Sequence, residues 1–576
     1  MSQNKLDTPV LYPTASNAAF EYKFRFLPWI CLLGIVVVIT IADLTFIDRH
    51  FWLYTVIYHH LHPVKRPIIP GAVGEAMPLN LIKSLPLTCA FVGLFSILFT
   101  FYFLAVRFLP RLINQRYIFR STILMGIAYI LLPVVTSQDI FSYIAYARMA
   151  VLYHLNPMVV APTAIKPDFV YGFLYWVNQP SVYGPTWLAI TSLLQIIASV
   201  IGFKYVLSME LLLRIFGFMM HLGSTQLVWI LSAQLRSSNA TVSEGDWQRR
   251  RLRTTLAFAW NPFLLLEACV NAHNDITILF MLLLSLWFLI PHPENKRIAY
   301  VSAIIILALL ACLKISYIVL LPGILLFILL QGAAVKSLRT RILQTVVSII
   351  VYSGLIIGMH APFWDHGALL NVLQVTPSAS RNTNSFYETV VNIYASFKGI
   401  PLTHKMDHGS RLEIMSHMVS TGLFLLIYAA ICIRSICRPR YINTWPALVA
   451  WLAFTWLLYC VVGSPWFWPW YTIILFGLFA LLEVNQEEQT TRREPVHFVF
   501  GALDVALFGR LLSVSMVSLY CLWIFYNLVP NFQFTYFTSV FVWGIPFLII
   551  GMRAAQKHIK QKLLYIKPSL DNQPSV

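Results

Sequence analysis

The residues that could carry chemistry begin at Asp139, in the segment SQDIFSYIAYARMAVLYHLNP spanning 137–157. At helical spacing Asp139, Ser142, Tyr143, Tyr146 and Tyr153 share one face, while Ile140, Phe141, Ile144 and Val151 share the other. A carboxylate beside a tyrosine stripe at a membrane edge can act as a general base toward a hydroxyl, or bind a divalent cation through oxygen. The structural alternative is a plain helix cap, favoured by exposed N–H groups and the helix dipole. Asn156-Pro157 is expected to end this helix, because the residue before proline avoids helical geometry. Tyr183-Gly184-Pro185 opens the next apolar run.

A second constellation follows Asn261-Pro262: Glu267, Asn271, His273, Asn274 and Asp275. On an unbroken helix, residues 267, 271, 274 and 275 occupy an arc of about 100°, with His273 off it. Each ionisable group in a membrane segment costs on the order of 2.5–3.5 kcal/mol. Such a face should therefore point into a polar cavity, or else join helices by hydrogen bonds. Lys314 is a lone cation between two short apolar runs, able to pair with a phosphate or to snorkel. Arg148 and Arg381 are candidates for the same role. Trp466, Phe467, Trp468, Trp470 and Tyr471 form an aromatic belt or a surface on which a sugar could stack.

His50, His59, His60, His62, His360, His366, His404 and His408 have no compelling ligand spacing with a carboxylate partner and do not support a zinc site; a divalent cation, Mg or Mn, held through oxygen, stays open, with no metal ligands assigned. No P-loop, GxGxxG or GxSxG context supports ATP hydrolysis or a serine hydrolase.

Membrane elements must position these residues. The 576-residue chain is 58% hydrophobic and 11% charged, with mean hydropathy +0.71, far too apolar for a soluble surface. Its net charge of +18 sits in short segments between apolar runs, as in cytoplasmic loops, and does not point to nucleic acid. The eight cysteines form no CxxC pair.

About fifteen runs are candidates to span or re-enter a bilayer, beginning with Leu27–Ile47, which follows a polar start and reads as a retained helix. The basic clusters put Ser137–Ser181, the Asn271–Asp275 corner, Lys314 and Pro362–Arg411 on the non-cytoplasmic side. The runs between Arg120 and Arg236 number three where parity needs two or four; one re-enters, or the run Val206–Leu231, holding Arg214, Gly217, His221 and Gly223, breaks in two. The expected architecture is all-α and polytopic, with about 14–16 transmembrane or re-entrant helices and interfacial helices in the outer loops. It comprises a cytoplasmic segment 1–26, one membrane domain 27–552 with outer loops 137–181 and 362–411, and a basic tail 553–576 that meets anionic lipid.

In order and spacing, these pieces resemble the polyprenol-phosphate-sugar-dependent glycosyltransferases of the GT-C superfamily. They look closest to the bacterial polyprenol-phosphomannose-dependent alpha-1,6-mannosyltransferases. The matching residues are Gln138-Asp139 with Ser142-Tyr143 and Asn156-Pro157; Tyr183-Gly184-Pro185 with Trp187; Trp260-Asn261-Pro262, Glu267 and Ala272-His273-Asn274-Asp275; Lys314 with Pro322; Pro362-Phe363-Trp364; and Pro465-Trp466 with Trp470-Tyr471. The resemblance covers about residues 136–480 and departs from the branch at Met158 and Arg148, and in having two apolar runs before the Asp139 loop.

The resemblance implies a GT-C-like fold and an inverting glycosyltransferase of the bacterial inner membrane, its site facing the periplasm or exterior. Mannose would pass from a polyprenyl-phosphate donor to a lipid-linked or surface glycan. Asp139 would be the catalytic base, with Tyr143, Arg148, Asn156, Tyr183, Glu267, Asn271, His273, Asn274, Asp275, Lys314, Trp466 and Trp470 holding donor or acceptor. Two alternatives are a transporter or flippase of lipid-linked sugars, which would carry related halves and paired broken helices that the sequence does not display, and a ligase or polymerase of lipid-linked glycans, favoured by Arg381, His404 and His408.

Overall fold

A computed structural model describes residues 26–46, 85–110, 113–132, 136–202, 205–236, 242–290, 296–331, 337–370, 376–400, 409–491, 504–528 and 537–570. Eighteen α-helices are described: α1 Leu27–Phe46, α2 Leu85–Arg107, α3 Gln115–Ile130, α4 Asp139–Val151, α5 Pro185–Ile201, α6 Val206–Ala233, α7 Glu244–Ala259, α8 Pro262–Leu265, α9 Asn274–Leu289, α10 Lys296–Ala311, α11 Leu321–Leu330, α12 Leu338–His360, α13 Phe386–Lys398, α14 Arg411–Cys437, α15 Trp445–Leu458, α16 Ile473–Thr491, α17 Val505–Leu528 and α18 Thr538–Leu570. Among the described residues the only β pairing is one isolated bridge, Thr383 with Trp466. The all-α, polytopic class expected from composition holds.

Among the described residues seven helices are long and apolar enough to cross a membrane, one bent pair passes the same test as a broken span or a re-entrant loop, and five shorter apolar helices accompany them. Local sequence sets the boundaries. Asn114 and Asn261 accept the backbone N–H groups of Tyr117 and Phe263, Pro185 and Pro262 occupy first helical positions, and Ser410 with Glu413 forms a capping box. Gly202, at φ 87°, ends α5 in the left-handed conformation.

The run Val206–Leu231 does not break: α6 is a single 28-residue helix. Arg214 within it pairs with Glu210 at 2.6 Å and donates to the carbonyls of Ile130 and Leu132, filling acceptors that the end of α3 leaves open. Helix α4 ends at Val151, five residues before Asn156, and His154 adopts φ 52° beyond it. Its apolar face is not left to lipid. Ile140, Phe141 and Ile144 are as buried as Tyr143 and Tyr146, since α4 packs on α5 and α6.

The largest departure is at Glu267–Asp275. These residues do not lie on one helix: Leu266–Val270 is a π turn, Ala272 takes φ 50°, and α9 leaves at 112° to α8 and the π turn. A broken helix, which the sequence does not display, is therefore present once among the described residues. The common arc for residues 267, 271, 274 and 275 fails because it assumes continuous helical phase. The segment 1–25, the outer stretch 50–84 with its histidines, and His404 and His408 lie outside the described residues.

Candidate active site

The site is built where α4, the start of α5, the α8–α9 break, the residues after α10, the corner before α16 and α17 meet. Asp139 is the first residue of α4 and partly buried. It caps nothing through its side chain; Oδ2 instead accepts the Tyr183 hydroxyl at 3.0 Å. Burial pushes the Asp139 carboxyl up to about 6, against the Tyr183 hydrogen bond and the Lys314 charge, which both pull it down. A carboxyl in that range is poised to take a proton near neutral pH.

Tyr183 is held from the other side by backbone. Gly184 donates its N–H to the Leu313 carbonyl at 2.9 Å, and Thr186 donates to Cys312 at 3.2 Å. A Cβ at position 184 would lie 2.2 Å from the Cys312 oxygen, so the close approach needs glycine. This contact ties the partner of Asp139 to the residues that immediately precede Lys314.

His273 is the centre of a second network. Its Nδ1 is 3.3 Å from the Tyr143 hydroxyl and its Nε2 is 3.4 Å from Glu267 Oε2. With the proton on Nε2, Nδ1 accepts from Tyr143, while Nε2 lies near the Glu267 carboxylate without forming a hydrogen bond among the described residues. Glu267 also accepts from Asn271 at 3.2 Å and from Tyr520 at 2.7 Å, and Thr136 donates to Asn271 at 2.7 Å. The Tyr143 ring packs edge-on against Tyr183 and Trp187, with centroids 4.8 and 5.1 Å away. The two networks thus share a wall. The Asn274 amide nitrogen at the start of α9 and the Ser142 hydroxyl on α4 are buried without hydrogen-bond partners among the described residues.

Asp275, fully buried, accepts from Tyr317 at 2.6 Å and lies 3.3 Å from Lys314 Nζ. The Lys314 ammonium also sits 3.8 Å over the Tyr471 ring. Trp468 and Trp470 stack 5.1 Å apart, and Trp470 stacks on His273 at 4.1 Å.

Asp139, Tyr143, Tyr183, Glu267, Asn271, His273, Asp275, Lys314 and Trp470 are therefore linked by direct contacts or through-space charge. Asn274 joins them at the start of α9, and Trp466 is two rings further out, 6.2 Å from Trp468. Arg148 is turned elsewhere. It forms an ion pair with Asp168, which Tyr153 also contacts at 2.7 Å, and this pins the loop after α4. Asn156 accepts from Met158 and donates to the Phe363 carbonyl, joining the segment after α4 to the one after α12. Arg381 is buried, 3.5 Å from Glu413.

Sequence reasoning misses Tyr317, Tyr520 and Thr136. A tyrosine within a membrane run must find a partner for its hydroxyl, which is the signal that could flag Tyr520. Among the described residues no three His, Cys, Asp or Glu side chains converge as a metal site requires.

Residues 56–330 match the family described as alpha-(1->6)-mannopyranosyltransferase, N-terminal domain. Over that stretch the chain is similar to this mannosyltransferase domain. The match is a little under half of the chain, runs through Asp139, the α8–α9 break and Lys314, and ends with α11. It agrees with the resemblance drawn from the motifs and supports a glycosyltransferase, and the long apolar helices fit an integral membrane protein. No curated protein and no solved structure matches the chain.

Proposed function

We propose that this protein transfers mannose from a polyprenyl-phosphate donor to a glycan acceptor at the non-cytoplasmic face of a bacterial inner membrane. The observation that carries the reading is a partly exposed carboxylate, Asp139, held by the hydroxyl of Tyr183, whose neighbour Gly184 is hydrogen-bonded to Leu313 next to the cation Lys314. Inverting transfer needs one group of each kind on either side of the sugar.

Asp139 takes the proton of the acceptor hydroxyl as that oxygen attacks the anomeric carbon. The carbon–oxygen bond to phosphate breaks with inversion, the electron pair leaves with polyprenyl phosphate, and Lys314 offsets the charge on the departing oxygens. Tyr183 orients the base. Glu267, Asn271, His273 and Asn274 line the sugar pocket, where Asn274 and Ser142 offer unpartnered polar atoms to hydroxyls. Because basic clusters lie on the other side of the apolar helices from these corners, the positive-inside tendency supports a site facing away from the cytoplasm.

Only one bent helix pair occurs among the described residues, whereas a translocation pathway built from repeats would carry two. Transfer is therefore the reading adopted. The test supplies labelled polyprenyl-phosphate mannose and a mannoside acceptor to protein in liposomes. Glycosidic product from the wild type, with at least ~10²-fold less from Asp139→Asn, is expected. Label crossing the bilayer without transfer would overturn the reading.

A further inference from the structure

Beyond the sugar pocket, an unbroken series of aromatic rings runs from the protein exterior to His273. Tyr175 and Trp176 lie 4.8 Å apart, Trp176 and Trp466 6.2 Å, Trp466 and Trp468 6.2 Å, and Trp468 and Trp470 5.1 Å, before Trp470 meets His273 at 4.1 Å. Exposure falls along the series: Tyr175 is 40% exposed, Trp176, Trp466 and Trp468 are intermediate, Trp470 is 8% and His273 1%. Tryptophans in a purely structural cluster would be buried together. A bilayer belt would spread around the protein and would not lead inward.

Two features keep the outer rings in place. Thr383 pairs with the Pro465–Phe467 backbone through two 2.9 Å hydrogen bonds, and Asn384 donates its amide to the Phe467 carbonyl at 3.2 Å. Beside Trp176, the Gln179 side-chain oxygen is buried with no hydrogen-bond partner among the described residues, an acceptor left for a hydroxyl.

We propose that Tyr175, Trp176, Trp466 and Trp468 form a track that binds consecutive pyranose rings of an oligosaccharide acceptor. This rests on the transferase reading and adds acceptor length to it. The apolar faces of pyranose rings lie on the indole faces, and Gln179 takes a hydroxyl. The non-reducing end then reaches His273 and the Asp139 pocket. The stacked pair Trp468 and Trp470 is too close to admit a ring between its members, so the sugars lie along the open side of the track.

Binding of α-1,6-linked mannooligosaccharides of one to five units to the full chain in lipid nanodiscs, without donor, tests the track by calorimetry. Affinity should rise roughly fivefold for each of the second and third units and then level off. Trp176→Ala should remove most of the gain contributed by the outermost unit, whereas Trp176→Phe should keep it, with the thermal unfolding of both variants checked. Affinity independent of length, or a Trp176→Ala profile identical to wild type, would overturn the proposal and leave the rings as a lipid belt. Length-dependent binding with no transfer from a mannosyl donor would sink the transferase reading and spare the track. Equal gains with maltooligosaccharides would show that the track reads ring shape and not mannose.

Discussion

The hydroxyl of Tyr183 donates to Asp139 across 3.0 Å, and the carboxyl it holds would otherwise lie still further above its ordinary range. Because this hydrogen bond favours the ionised form, Tyr183→Phe should raise the Asp139 pKa. The acid limb of the rate profile, expected near pH 6 in the wild type, should then move up by about one pH unit. Activity measured from pH 5 to 9 checks this. An unmoved limb would mean that Asp139 is not the group being titrated.

Asp139 lies outside the membrane-spanning helices, and its pKa also makes a prediction for stability. Its folded-state value, about 6, exceeds the ordinary value of 3.8, so the contribution favouring the fold is fully present below the unfolded pKa and lost as pH rises through 6. Asp139→Asn should therefore be more stable than wild type at pH 8, by ~1–2 kcal/mol, with the gap narrowing as pH falls below 6 and closing below about pH 4. A variant both inactive and more stable is the signature of a carboxylate kept for chemistry.

Gly184→Ala places a methyl carbon 2.2 Å from the Cys312 carbonyl oxygen, and neither backbone can yield without moving Tyr183 or Lys314. A loss of about 1–3 kcal/mol is expected. Activity should fall further than stability, because the displaced Tyr183 no longer orients Asp139. Parallel loss of both, in proportion, would argue for a scaffold role alone.

Lys314→Met strips the cation from Asp275, a fully buried carboxylate left with Tyr317 as its hydrogen-bond donor. Leaving an unpaired buried charge costs about 3–5 kcal/mol, so the single variant should fold poorly. Adding Asp275→Asn should restore much of the stability without restoring use of the phosphate donor. Recovery of transfer by the double variant would assign Lys314 to structure.

Asp139, Glu267, Asn271 and Lys314 stand out in the sequence because each costs free energy in apolar surroundings and so needs a reason. Tyr317 and Tyr520 do not, since a single tyrosine in a membrane run looks like packing until its hydroxyl partner is known. His273 is included, yet placed off the polar face, because the periodicity assumes an unbroken helix. The left-handed turn that aims it falls on Ala272, a residue with no sequence signature for positive φ. The apolar run Leu27–Ile47 predicts α1 to within one residue, but long-range closures such as Gly184 on Leu313 leave no local trace.

The π turn at Leu266–Val270 holds one residue more than the α-helical turn it interrupts. Every residue advances a helix by about 100°, so deleting Ala268 would swing the chain beyond it by that angle relative to Glu267. The carboxylate would then lose Asn271 and His273 together, leaving an ordinary apolar span with a stranded acid. A single codon, counted in or out, separates a helix that merely crosses a membrane from one that builds a pocket.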